Sequence, residues 1–236
     1  MTWRDYQEDV AEFFRLLGCD AKVDTRIQGA RARHKVDVWV TFSRFGFEHK
    51  WVVECKLYNR SIPKEKVLAL KGIVDDVGAD RGILIAESGC QPAAYAAAQS
   101  TNVELLTFVE LRECAKTDLL SSIFKKLEER TVLLFESIYK LFWPEPEPWY
   151  STPRPGVDED GVWSQTGKLA MLKLHMEEVK LGRFPVVVGA TYTPQEKLTF
   201  AHNLEEFVEK AGQIIEEVEK WVKVQEAAIR KLKSSL

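Results

Sequence analysis

The stretch whose reading decides the fold is Lys35-Val-Asp-Val-Trp-Val-Thr-Phe-Ser-Arg-Phe-Gly-Phe-Glu-His-Lys-Trp-Val-Val-Glu-Cys-Lys56. Its spacing predicts two strands folded back on each other about Phe45 and Gly46. Val36, Val38, Val40 and Phe42 alternate with Asp37, Trp39 and Thr41 on the first strand. Trp51, Val53 and Cys55 alternate with Lys50, Val52, Glu54 and Lys56 on the second. Side chains along a strand point to opposite faces with period two. Asp37 is therefore expected to point away from an aliphatic stripe formed by Val36, Val38 and Val40, while Glu54 and Lys56 share a face. A reversal at Phe45-Gly46 sets Asp37 opposite Glu54. Facing residues have Cβ atoms ~4.5–5.5 Å apart, where like charges destabilise. Two facing carboxylates with a lysine beside them point to a bound divalent cation.

Working outward, residues 3–17 carry helical periodicity, with Tyr6, Val10, Phe13, Phe14 and Leu17 on one side and Gly18 as the stop. Gln7 lies at the edge of that stripe, where a polar side chain needs a partner, such as a nearby loop. A short strand around Ala21–Thr25 and a basic loop, Arg26 to Lys35, lead into the hairpin. Beyond it, Ser61-Ile-Pro-Lys-Glu opens a helix through Val67, Leu70 and Val74 that stops near Gly78. Arg81-Gly-Ile-Leu-Ile-Ala86 is continuous and apolar, as expected of a strand covered on both faces. An alanine-rich helix from Pro92 and a strand at Val103–Thr107 complete a mixed sheet with helices on both faces.

Past Cys114 the pattern changes to a long amphipathic helix marked by Leu119, Leu120, Ile123, Leu127, Leu134, Ile138 and Leu141. Five prolines between Pro144 and Pro155 exclude helix and central strand there. A helix at Lys168–Leu181, a brief strand at Pro185–Val188 and a final helix capped by Asn203 follow. The expected division is a domain at 1–114, a connecting helix at 115–143, a proline-rich linker at 144–160, and a mainly helical region at 161–236. The amphipathic helices of the last part read as packing or oligomerisation surfaces, for a homodimer or for other subunits.

Composition narrows the function. The net charge is −3, but Lys22 to Lys71 holds twelve Lys/Arg against five Asp/Glu, a local +7 that leaves −10 for the remainder. Such asymmetry fits an anionic ligand around the hairpin or, equally, a solvated basic face. Arg31, Arg33, Lys35, Arg44, Lys50 and Arg60 are the candidate phosphate contacts. Cys19, Cys55, Cys90 and Cys114 form no CxxC pair, as in a reduced cytoplasmic protein. The four histidines lack zinc-ligand spacing, and no apolar run is long enough for a signal peptide or a membrane span.

Phosphodiester hydrolysis needs a placed water, neutralisation of transition-state charge, and help for the leaving oxygen. A magnesium ion on hard oxygen ligands supplies most of this. Asp37 and Glu54 are its candidate ligands, the main-chain carbonyl of Cys55 offers another, and Lys56 can orient or deprotonate the water.

The combination Val36-Asp37, Glu54-Cys55-Lys56, the opening Tyr6-Gln7-Glu8-Asp9-Val10-Ala11-Glu12, and Gly78-Ala79-Asp80-Arg81-Gly82-Ile83-Leu84-Ile85 resembles the Mrr-type restriction endonuclease domain of the PD-(D/E)xK nuclease superfamily. The resemblance covers roughly residues 3–111. It implies a restriction-endonuclease-like α/β fold followed by a mostly helical C-terminal region. It also implies a Mg²⁺- or Mn²⁺-dependent endonuclease acting on double-stranded DNA in restriction or defence. On it, Asp37 and Glu54 bind the metal and Lys56 serves the water. The family's first-helix glutamate is here Gln7, which can position a water or Lys56 but holds a cation less strongly. Three alternatives stay open: a nuclease fold kept for DNA binding without turnover, a repair or junction-resolving nuclease, and a docking platform built on the C-terminal helices.

Overall fold

The computed structural model describes residues 2–143, 159–188 and 198–234. The chain forms two compact units, residues 1–122 and 123–236. In the first, helix α1 (Trp3–Leu16) precedes strands β1 (Asp20–Gln28), β2 (Arg33–Arg44) and β3 (Phe47–Lys56). Helix α2 (Lys64–Val77), β4 (Arg81–Ala86), α3 (Pro92–Ala98), β5 (Val103–Leu106) and α4 (Phe108–Cys114) follow. The strands form one sheet in sequence order. The β1–β2 and β2–β3 pairs are antiparallel, and β3–β4 and β4–β5 are parallel. Antiparallel neighbours accept a tight turn, whereas each parallel neighbour needs a crossover, which α2 and α3 supply.

Two cores sandwich the sheet. Tyr6, Val10, Phe13 and Phe14 of α1 pack with Phe108 and Leu111 of α4 against Val38, Val40, Val53 and Cys55. On the other face Val67, Leu70 and Val74 of α2 and Ala94 of α3 pack against Val36, Val52 and Leu84. Edge-to-face ring pairs, Tyr6–Phe108, Phe13–Phe108 and Phe14–Trp51, tie α1 down. Such pairs contribute ~0.5–1.5 kcal/mol each beyond their burial. Gly82 of β4 lets α2 approach closely: a Cβ there would stand 2.8 Å from Val74 Cγ2.

The first strand departs from simple alternation. Val38 and Val40 face α1, but Val36 belongs to the opposite core, where β1 contributes Ile27. The physical reason is a break in the β1–β2 ladder. Pairing runs through Val23–Val38 and resumes at Thr25–Val36, omitting Asp24 and Asp37. Asp24 has φ +56°, so the ribbon turns over there and its outer half wraps the α2 face. The short first strand expected at Ala21–Thr25 is for the same reason longer, and its tip closes onto the end of α2. Ala30 N–H donates to the Asp76 carbonyl at 2.9 Å. The Asp76 carboxylate accepts Arg31 N–H and Nε–H at 3.0 and 2.9 Å and Ala32 N–H at 3.1 Å. It lies 2.7 Å from His34 Nε2. Gly29 is required at this contact, since a Cβ would come 2.1 Å from Asp76 Oδ2.

The second unit takes up most of α5 (Lys116–Phe142), then α6 (Glu159–Lys180), the antiparallel pair β6 (Val186–Val188) and β7 (Thr199–Ala201), and α7 (Leu204–Ser234). Leu134, Ile138, Leu169, Leu172, Met176, Phe207 and Ile215 are among its buried apolar residues. Helix α6 begins at Glu159, so the last residues of the expected linker, and the segment before Lys168, are helical. The rest of that linker, residues 144–158, lies outside the described residues. Asn203 caps α7 by accepting Glu206 N–H at 2.9 Å. No helix among the described residues is long and apolar enough to cross a membrane.

Candidate active site

The β2–β3 register brings the acidic residues together. Val38 faces Val53 and Arg44 faces Phe47, a constant offset across a turn at Phe45-Gly46. One step beyond Val38–Val53 the same offset sets Asp37 against Glu54. Here β2 bends and the ladder ends, so the Cys55 N–H and C=O on this edge need partners outside the sheet. Asp37 Oδ2 accepts the Cys55 N–H at 2.8 Å. The indole N–H of Trp3 donates to the Cys55 carbonyl at 3.3 Å. The bend thus turns the Asp37 carboxylate into a substitute for a ladder acceptor.

Asp37 and Lys56 are each only 8% exposed. Lys56 Nζ is ion-paired to Glu54 and lies 3.8 Å from Asp37 Oδ2. It also sits over the Tyr58 ring, 5.9 Å from its centroid. Burial and the charge on Glu54 push the Asp37 pKa above the usual carboxylate value, against the Cys55 N–H, Lys56 and Gln7. For Lys56, burial works against the charge, but Glu54 and Asp37 outweigh it and the pKa ends above its usual value. Lys56 is therefore an ammonium at neutral pH.

Helix α1 supplies one wall. Its first turn is fixed by a reciprocal cap: Asp5 N–H donates to the Thr2 hydroxyl and Thr2 N–H to the Asp5 carboxylate. Tyr6 donates to Glu87, at the end of β4, and Glu87 also accepts Phe108 N–H at 3.2 Å. Burial and Glu87 push the Tyr6 phenol upward, so it stays a donor. Gln7 is not at the edge of the apolar stripe but fully inside it, at 1% exposure. Its amide is near enough to Asp37 to favour the carboxylate, yet its Nε2 makes no hydrogen bond. An unsatisfied buried donor costs ~1–3 kcal/mol, so the amide is placed for something other than stability. Sequence reasoning missed Trp3, Tyr6 and Glu87 as site residues. The signal available was the i, i+3, i+4 spacing of Trp3, Tyr6 and Gln7, which puts them on one helix face.

Whether this set suits a divalent cation can be judged from its donors. Two carboxylates share one lysine, and one of them is buried with its pKa raised, an excess of negative charge that a cation relieves. No group of three or more His, Cys, Asp or Glu side chains gathers among the described residues. The oxygen donors the site offers are thus two side-chain carboxylates and the Cys55 carbonyl. Such a sparse oxygen set fits magnesium, which keeps several of its waters.

The basic candidates separate. Arg31 is ion-paired with Asp76, Lys35 with Asp24 at 2.7 Å, and Lys50 with Glu48 at 3.0 Å. Arg44 lies over the Phe45 ring at the far end of the hairpin. That is seven residues from Asp37, or about 23 Å at ~3.3 Å per residue. Arg60 is exposed on the loop that follows Lys56. Arg33 and Arg60 make no ion pair among the described residues.

A family model described as restriction endonuclease, Mrr_cat, matches residues 1–115. No curated protein sequence matches the chain. Among solved structures, the crystal structure of a protein of unknown function, AF1548, is similar with a TM-score of 0.40 and 14% identity, covering 94% of this chain and 99% of its own. The DNA modification-dependent restriction endonuclease AspBHI is similar with a TM-score of 0.37 and 19% identity, covering 49% of this chain and 33% of its own. A five-stranded mixed sheet between helices, with a carboxylate-lysine cluster at the end of its central hairpin, accompanies that match: residues 1–115 match a restriction endonuclease domain of the Mrr type.

Proposed function

We propose that the protein is a Mg²⁺-dependent endonuclease that hydrolyses phosphodiester bonds of double-stranded DNA, in restriction or phage defence. The observation that carries this reading is the convergence of Asp37, Glu54 and Lys56 at one end of the β2–β3 hairpin, with Asp37 held on the Cys55 N–H.

Asp37, Glu54 and the Cys55 carbonyl would hold the cation, which supplies Lewis acidity and a more acidic bound water. Lys56, kept protonated by Glu54, orients the attacking water and offsets charge building on the phosphoryl oxygens. Water adds across the P–O bond: its hydroxyl goes to phosphorus and its proton, by way of solvent, to the leaving oxygen. Gln7, with a free N–H beside Asp37, can hydrogen-bond that water or a phosphate oxygen. Arg33 and Arg60, exposed and without an ion pair among the described residues, are the basic residues best placed for the DNA backbone. Arg31, Lys35, Lys50 and Arg44 contribute more diffusely to the local positive field. The reading puts the protein in the cytoplasm, where the substrate lies and thiols stay reduced.

The test is nicking of supercoiled plasmid with Mg²⁺ or Mn²⁺ and with chelator. Wild-type protein should cut only with the cation, and folded Asp37→Ala and Glu54→Ala variants should not cut. Salt-sensitive DNA binding with no cutting under either cation would favour a nuclease fold kept for binding, the reading that the Gln7 amide supports.

A further inference from the structure

The Cys55 carbonyl is the main-chain oxygen between Glu54 and Lys56, and its partner is a side chain from a distant element. Trp3 belongs to the first turn of α1, fixed on one side by the Thr2–Asp5 cap and on the other by Tyr6, Glu87 and Phe108 N–H. Between these anchors the indole N–H is aimed at the carbonyl at 3.3 Å. Trp3 is 44% exposed, so hydrophobic burial alone does not account for its placement. An indole N–H is a donor with no acceptor capacity, and a carbonyl oxygen has two lone pairs. A donor and a cation on the same oxygen draw on the same electron density, each weakening the other.

We propose that Trp3 is a positioning residue that shares the Cys55 carbonyl with the divalent cation and thereby weakens cation binding. The inference rests on the reading of Asp37 and Glu54 as cation ligands. Its consequence is a site that stays exchangeable: the carbonyl is satisfied by Trp3 when the cation leaves, so the site need not rearrange.

The test is calorimetric titration of the full-length protein with Mn²⁺, comparing wild type, Trp3→Phe and Asp37→Asn. Phenylalanine keeps an aromatic ring at a half-exposed position and removes only the N–H. Trp3→Phe should bind Mn²⁺ more tightly by roughly two- to tenfold, the worth of one hydrogen bond. Mn²⁺ should also quench tryptophan fluorescence in wild type by an amount lost in Trp3→Phe at equal occupancy. If wild type binds, Asp37→Asn does not, and Trp3→Phe binds equally or less tightly or is quenched to the same extent, the inference is overturned and the cation site stands. If wild type binds no Mn²⁺, or Asp37→Asn binds as well as wild type, the cation site itself is overturned, and the inference with it.

Discussion

Replacing Asp37 with asparagine should make the cation-free protein more stable while abolishing its chemistry. Lys56 Nζ lies 3.8 Å from Asp37 Oδ2, an attraction of about 4 kcal/mol at an effective dielectric of ~20. The Glu54 carboxylate repels the Asp37 charge in turn. The two oppose each other, and burial decides the sign because it penalises the charged form. The net result is the raised Asp37 pKa. An asparagine Oδ1 can keep the Cys55 N–H, and its amide can donate towards Glu54. We expect a gain on the order of 1 kcal/mol, read as a higher urea midpoint in chelator at pH 7. The sign with pH follows. A carboxylate with a raised folded pKa contributes fully below its ordinary range, and the contribution is lost as pH rises through the folded value. The gain from Asp37→Asn should therefore vanish in acid. With Mg²⁺ the order should reverse: wild type gains about 2.7 kcal/mol at a hundredfold excess over Kd, and the variant gains nothing. A variant less stable than wild type in chelator by more than about 1 kcal/mol would refute the reasoning, because Asp37 would then be a structural anchor.

Other elements give further expectations. Arg31 and His34 hold the Asp76 carboxylate well below its ordinary pKa of 3.8, so its contribution is present above that value and lost as pH falls below it. Asp76→Asn should lower the urea midpoint at pH 7, with a gap that begins to narrow only below pH 3.8 and closes as pH falls through the folded value; a gap that stays constant through that acid range would argue against the ion pairs as its source. Phe45, at φ +54° in the β2–β3 turn and 87% exposed, bears left-handed strain without burial in return. Phe45→Asn should stabilise by about 1 kcal/mol, because Asn-Gly suits such a turn, and unchanged or reduced thermal stability would show that the ring packs.

Much of the first unit was legible because its signals are local. Period-two alternation and the Phe45-Gly46 turn were enough to bring Asp37, Glu54 and Lys56 to the same end of the hairpin. Gly78 and Pro92 marked helix ends that lie where expected. The flip of Val36 to the opposite core was not legible, because it depends on a left-handed Asp24, a residue whose sequence context does not demand that conformation. Trp3 and Glu87 were missed for a related reason. Their contacts span 52 and 81 positions, and neither residue belongs to a pattern that names a partner. The basic residues were legible as a cluster but not individually: only the structure separates Arg31, committed to Asp76, from Arg33 and Arg60, which have no ion pair among the described residues. In the second unit periodicity gave the helices and nothing chemical, since apolar spacing reports packing and is silent about ligands.

The central claim is that Asp37, Glu54 and Lys56 act together on a phosphodiester. Its most direct measurement is the single-turnover cleavage rate of linear duplex DNA in Mg²⁺, for wild type and a folded Lys56→Ala variant. A positioned ammonium that orients the water and offsets phosphoryl charge contributes roughly 10²–10⁴-fold. We predict at least about a hundredfold fall in rate, with duplex binding retained. Cleavage by Lys56→Ala at the wild-type rate would contradict the account.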